Sequence, residues 1–411
     1  MPIDDVDALS LLSARAVRDR AHRMLAIGLK DQLPHFRVEL ARLDATVALV
    51  LASIDKNYPT RDVPFHARWR HFVIGGQDRW AAIAERATFA DSHARARAEF
   101  DLAIVSVLLD AGAGPAWRYH DAVSGARIGR SEGLALASLD MFAAGAFSAW
   151  PGEPLRVDAE ALSRLTVADL ARGFQVSESN PLVGLDGRVD LLRRLGAQLA
   201  ANADVFAMRD GPRPGGLFDR LLEVATRDTI VAPDILVEVL RQLGPIWPSR
   251  ITLHGVPLGD CWRHPALKTD DATSELVPLH KLSQWLTYSL IEPLQRAGQT
   301  VTDIDGLTGL AEYRNGGLFV DAGVLVFRDP ADAAREHPVD APLVVEWRAL
   351  TVALLDRLAD AARQRLGVDA QTFPLAKILE GGTWAAGRVL AFERRPDGSP
   401  PVRVISDGTV F

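Results

Sequence analysis

The sequence predicts a mainly helical protein carrying two small β-hairpins. Apolar residues recur at i, i+3 and i+4 through most long segments, whereas strand-like runs are few and short. Helix starts also carry capping residues, such as Asp158 before AEALSRL, and Ser131 with Glu132 just inside the next helix. In chain order, the periodicity predicts helices over 8–30, 35–54, 79–111, 131–148, 158–172, 187–202, 216–229, 233–242, 279–297 and 346–366. One hairpin is expected at 118–129, turning at Ser124-Gly125. A second is expected over 390–411, turning at Pro396-Asp397-Gly398. Pro/Gly-rich breaks at 149–155 and 209–216 suggest an N-terminal helical lobe, 1–150, and a second helical lobe, 151–411, within one continuous globular unit.

Composition narrows the class of function. Lys+Arg 46 against Asp+Glu 53 gives a net charge of −7, the wrong sign for a nucleic-acid surface. A single cysteine, Cys261, excludes an intrachain disulfide and points to a reducing cytoplasm. The acidic start, MPIDDVDALS, lacks the form of a signal peptide, and no run approaches the roughly 18 apolar residues of a membrane span. The oligomeric state is not encoded in any of these features.

Chemistry-bearing residues concentrate between His254 and Val326. Asp260, Trp262, His264, His280, Lys281, Gln284, Trp285, Glu312, Tyr313, Arg314, Asn315 and Asp321 lie there among glycines that permit tight turns. Lys281, Gln284 and Trp285 fall at i, i+3 and i+4 of one helix, either a solvated stripe or a ligand-lining face. His254, His264 and His280 with Asp260 match no compact metal-ligand spacing, and no metal or other cofactor is expected. The chain lacks G-x-x-x-x-G-K-[ST], a strand-borne G-x-G-x-x-G and H-E-x-x-H. Gly129-Arg130-Ser131-Glu132-Gly133 fits G-x-S-x-G formally, with Asp260 and His264 downstream, but no apolar strand precedes it. Ser131 reads better as a helix N-cap, and Arg130 beside it leaves a phosphate site open. Trp347 between Glu346 and Arg348 fits core packing. Trp384 follows Glu380-Gly381-Gly382, where Gly-Gly allows close backbone approach beside a carboxylate.

GVPLGDCWRHPAL, LVPLHKLSQWLTYSLIEPL and LTGLAEYRNGGLFVDAGVL together resemble the microbial uracil-catabolism family of Urc4/Urg3 type. PFHARWRHF (64–72), GRSEGLALAS (129–138) and NPLVGLDGR (180–188) extend the resemblance over nearly the whole chain. It implies a place in a pathway that ribosylates uracil, opens its ring and finally releases urea. A weaker similarity concerns the queuosine-nucleotide N-glycosidases of queuosine salvage, whose F-A-D-Y-R and V-E-I-R-G elements occur in the same order. Leu310-Ala311-Glu312-Tyr313-Arg314 and Val345-Glu346-Trp347-Arg348 would take their places, with Glu for Asp at 312. Those enzymes are helical and related to helix-hairpin-helix DNA glycosylases, so that likeness implies the same architecture.

The two likenesses converge on hydrolysis of a C1′–N bond in (phospho)ribosylurea or a related ring-opened uracil nucleotide. A carboxylate near C1′ stabilises an oxocarbenium-like sugar, and a donor protonates the departing nitrogen. Glu312 is the expected catalytic carboxylate and Asp260 the reserve. Substrate binding is expected from Ser131, Glu132, Trp262, His264, His280, Lys281, Gln284, Trp285, Tyr313, Arg314, Asn315, Glu346, Arg348 and Glu380. Arg130 or Ser131 is expected to face Lys281 or Arg314 across a shared pocket. Hydrolysis of the ureido amide, and a non-catalytic binding or scaffold role, remain alternatives.

Overall fold

Helices account for most of the computed structural model, which describes residues 4–247 and 251–405. The chain forms two compact units, each assembled from distant segments. The first comprises the described residues up to His66, Ile251–Gln284 and Asp303–Ile405. The second comprises Ala67–Trp247 and Trp285–Thr302.

In the first unit the core helix is Pro342–Leu366, with Val344, Val345, Trp347, Leu350, Val352, Leu354, Leu355 and Leu358 all buried. Apolar residues surround this helix because neighbours cover it on several sides. Ala14–Gly28, Leu43–Asn57 and Tyr313–Asp321 pack on it, and Trp384–Arg394 packs on Tyr313–Asp321. In the second unit the same part is played by Ser92–Leu108, buried continuously from Ala98 to Leu108, against Arg130–Ala143, Leu185–Ala201 and Gly216–Val224.

The mainly helical class and the small strand pairs agree with the sequence reading. Among the described residues every sheet has two strands, and none closes into a barrel. The hairpin at 118–129 is present as Tyr119–His120 against Arg127–Ile128. Asp121 accepts from Ser124 N at 2.9 Å in its turn, and Gly125 has φ +69°.

Among the described residues the second hairpin is not formed. Helix Trp384–Arg394 takes its first residues, 390–394, and Arg403–Ile405 pairs in parallel with Glu336–Pro338; residues 406–411 of that segment lie outside the described residues. Long-range pairing also overrides local periodicity at the start of 35–54. There Phe36–Val38 joins Leu325–Phe327 as antiparallel strands before helix Leu43–Asn57 begins. The 8–30 and 79–111 segments are each interrupted by a new N-cap. Ser13 accepts from Ala16 N and Asp91 from Ala94 N.

Residues 375–389 carry no predicted element, yet with 390–394 they form Leu375–Ile378, a π-helical turn Leu379–Thr383 and helix Trp384–Arg394. Gly381 and Gly382 are required by close approach. A Cβ at Gly382 would meet Val50 Cγ1 at 2.5 Å, and one at Gly381 would meet Val63 Cγ1 at 3.0 Å. Gly382→Ala is therefore expected to cost about 1–3 kcal/mol through overpacking. Chemical denaturation measures it, and an unchanged midpoint would contradict this packing.

Candidate functional site

Four of the expected motifs meet in the first unit through one hydrogen-bond network. The strands Cys261–Arg263 and Leu276–Pro278 form a hairpin with Trp262 opposite Val277. The Asp260 carbonyl closes its base by accepting from Leu279 N at 2.9 Å and His280 N at 3.2 Å. The Asp260 carboxylate then receives four donors. Arg348 Nη1 and Nη2 donate at 2.7 and 2.8 Å, Trp262 Nε1 at 2.6 Å and Lys281 N at 2.9 Å. Arg348 also donates from Nε to the Ala311 carbonyl at 3.1 Å. Gln284 ties the helix Lys281–Arg296 to the same segment. Its Oε1 accepts from Thr308 N at 2.9 Å, and its Nε2 donates to Thr308 Oγ1.

Burial opposes ionisation of Asp260, but the Arg348 guanidinium, its fork of hydrogen bonds, Trp262 N–H and Lys281 N–H prevail. The carboxyl is lowered to about 2. Because the folded value lies below the unfolded one near 3.8, the resulting stability is fully present above about pH 4 and is lost as pH falls towards about 2. The contribution is roughly 2–3 kcal/mol. Asp260→Asn is expected to flatten the stability profile between about pH 4 and 2 relative to wild type. Urea denaturation at both ends of that window measures it, and parallel profiles would count against the pairing.

Glu312 is placed by a different device. It is the N-cap of helix Tyr313–Asp321, with Oε2 accepting from Arg314 N at 2.7 Å and Oε1 from Asn315 N at 2.5 Å. Asn315-Gly316-Gly317 therefore continues a helix, where the sequence suggested a turn. Gly316 lets Trp347 pack, since a Cβ there would lie 2.6 Å from its indole. Asn315 Nδ2 donates to the Leu310 carbonyl at 3.3 Å, and its Oδ1 accepts from Thr383 Oγ1 at 2.8 Å. Arg314 Nη1 donates to the Gly398 carbonyl at 2.8 Å, with its guanidinium 5.1 Å from the Tyr313 ring centre.

The histidines serve the backbone. His264 Nδ1 accepts from Ala266 N at 3.2 Å, so its proton sits on Nε2, 3.3 Å from Glu346 Oε2. Glu346 Oε1 accepts from Phe36 N at 2.8 Å and His35 N at 3.3 Å, holding the strand Phe36–Val38. His280, with φ +45°, donates from Nε2 to the Leu11 carbonyl at 2.9 Å, and burial lowers its pKa. Among the described residues no group of three or more His, Cys, Asp or Glu gathers as a metal site.

Glu380 stands on the π-helical turn. Its Oε2 lies 2.7 Å from His66 Nδ1, and its Oε1 accepts from Tyr58 Oη at 3.3 Å. The His66 ring is centred 6.4 Å from Trp384, and the Arg388 guanidinium lies 5.5 Å from the same indole.

In the second unit, Ser131 lies inside helix Arg130–Ala143, whose N-cap is Gly129; the hydroxyl is not the cap. Ser131 Oγ donates to Asp110 Oδ2 at 3.0 Å. Arg68, fully buried, donates to Asp110 Oδ1 at 2.6 Å, Ser106 Oγ at 2.7 Å and the Ser131 carbonyl at 3.3 Å. Ser131 Oγ is bonded to a carboxylate and not to an imidazole, and Asp260 and His264 do not bond each other, so the G-x-S-x-G match lacks the serine–histidine–aspartate relay of a hydrolase triad. Trp285 lies 5.5 Å from the Arg68 guanidinium and 5.6 Å from the His71 ring. Glu132, in the first helical turn, acts together with Asp110 on the Arg68 guanidinium. Asp158, expected to cap its helix by its side chain, instead accepts from Ala149 N and Arg156.

Sequence reasoning missed Arg68, His71, Asp110, Tyr58 and His66 as site residues. The dense run PFHARWRHF was the one signal that marks three of them. A surface pocket of about 730 Å³ in the second unit, between Tyr119, Asp140 and Arg172, contains none of the residues singled out. No helix among the described residues is long and apolar enough to cross a membrane.

Two relatives align with nearly the entire chain. Protein urg3 of Schizosaccharomyces pombe is 40% identical over 98% of both chains. Uracil catabolism protein 4 of Lachancea kluyveri is 38% identical over 92% of both. Residues 10–411 match the family described as Protein of unknown function (DUF1688), and the chain belongs to that family.

Proposed function

We propose that this protein acts in uracil catabolism as an N-glycosidase-type hydrolase. Its substrate would be (phospho)ribosylurea or a related ring-opened uracil nucleotide, cleaved to urea and ribose or ribose 5-phosphate. The relatives' names support the pathway. The observation that carries the chemistry is the pair of carboxylates, Asp260 and Glu312, fixed through Arg348 to one backbone segment, Ala311–Glu312.

The two carboxylates differ in capacity. A carboxylate offers about four lone-pair directions, and Asp260 already receives four donors. It positions Lys281, Trp262 and Arg348. Glu312 receives two backbone N–H groups and retains room for a water or for the developing charge at C1′. Lys281 and Arg314 supply charge for a 5′-phosphate, and Tyr313 and Trp262 supply apolar surface against the sugar. His264, His280, Gln284, Asn315 and Glu346 hold these groups in place. The reading invokes no metal or other cofactor.

Purified protein incubated with synthetic phosphoribosylurea and ribosylurea is expected to release urea. Ammonia in place of urea, or no product, would reject the reading.

A further inference from the structure

His66 and Glu380 form a dyad that the carboxylate chemistry above does not use. Glu380 sits in the π-helical turn Leu379–Thr383, a widened turn of the kind frequent at functional sites. The turn is locked from several directions. Gly381 and Gly382 press on Val50, Ile54 and Val63, and Thr383 Oγ1 donates to Asn315 Oδ1 at 2.8 Å. Asn315 N is one of the two donors to Glu312. Glu380 is thus three positions along the same turn from Thr383, which bonds directly to the helix that Glu312 caps. His66 is held separately, its backbone N donating to the Ala376 carbonyl at 3.0 Å. Both side chains retain some exposure, 7% for His66 and 17% for Glu380.

The hydrogen bond fixes the tautomer. An ionised carboxylate only accepts, so His66 Nδ1 carries the proton at 2.7 Å from Glu380 Oε2. Protonation and deprotonation therefore occur at Nε2, as in carboxylate–imidazole pairs that move protons in acyl transfer. Charged and titratable groups near the ring include Glu380 from the π-turn and, through Glu380, Tyr58, which follows helix Leu43–Asn57; the Arg388 guanidinium lies 5.5 Å from the Trp384 ring on the next helix.

We propose that the His66 imidazolium is the acid that protonates the leaving nitrogen, with Glu380 as its positioning residue. This rests on the N-glycosidase reading. The C1′–N bond breaks with its electron pair passing to nitrogen, which takes the Nε2 proton and departs as neutral urea. Water adds to C1′ and gives its proton to Glu312, and solvent restores both groups.

The test uses full-length wild type, His66→Gln and Glu380→Gln with phosphoribosylurea, following urea across pH. His66→Gln is expected to lower kcat about 10²–10⁴-fold, with KM within about threefold, and to abolish the alkaline limb of the wild-type profile. Glu380→Gln removes the carboxylate that holds the ring through Nδ1, so its kcat is expected to fall about tenfold or more with KM within about threefold, and Glu380→Asp to recover part of the loss. This split of kcat from KM keeps the proposal testable if His66→Gln fails to fold, because a merely structural role would not move kcat alone. An active wild type whose two variants keep its kcat and alkaline limb would overturn the dyad alone. A wild type that releases no urea would overturn the glycosidase reading as well.

Discussion

Replacing Arg348 by methionine is expected to cost about 3–5 kcal/mol of stability, the scale for removing one partner of a buried ion pair. The stem is preserved, so the loss isolates the guanidinium. Asp260 would keep Trp262 and Lys281 N as donors but lose the Arg348 counter-charge, and the Ala311 carbonyl would lose the Arg348 Nε donor. Turnover should fall as well, because Arg348 connects the Asp260 hairpin to the segment before Glu312. The double variant Arg348→Met/Asp260→Asn should lose less than the sum of the two single changes, since no buried charge is then left unpaired. Urea denaturation of the four proteins measures the coupling. Additive losses, or a single loss below about 1 kcal/mol, would contradict a coupled buried pair.

Glu312→Gln is expected to reduce turnover at least about a hundredfold, the usual scale for a preorganised electrostatic contact. Substrate binding should be largely retained. The structure adds a second effect, because the same side chain caps helix Tyr313–Asp321. A glutamine amide has one oxygen for two backbone donors, so stability should fall by about 1–2 kcal/mol. The two effects separate by measuring kcat well below the variant's melting temperature and the melting temperature itself. Asp260→Asn provides the contrast, with the larger stability loss. If Glu312→Gln turns over normally while folded Asp260→Asn does not, the catalytic role belongs to Asp260.

Most of the helical framework is legible in the sequence because amphipathic periodicity survives over ten or more residues, as in 187–202 and 346–366. Features set by distant partners are not legible. Phe36–Val38 reads as helix until Leu325–Phe327 pairs with it, and Arg403–Ile405 finds Glu336–Pro338 instead of its local neighbour. Glu312 escapes the capping rules because Ser, Thr, Asp and Asn are the favoured N-caps. The close approach that Gly381-Gly382 suggests is present, against Val50, Ile54 and Val63, but the helical run 375–394 around it carries no clear periodic signal. The site residues between 254 and 348 stand out as costly polar and aromatic groups. Their pairing does not, since Asp260 and Arg348 are 88 positions apart. His66, 314 positions from Glu380, shows only as one letter in a crowded basic and aromatic run.

The central claim, cleavage at C1′–N, is tested most directly by running the reaction with phosphoribosylurea in ¹⁸O-water. Water attacking C1′ is expected to yield urea whose carbonyl carries no label, with one reducing sugar formed per urea. Labelled carbon dioxide with ammonia would place the attack on the ureido carbonyl and contradict the account.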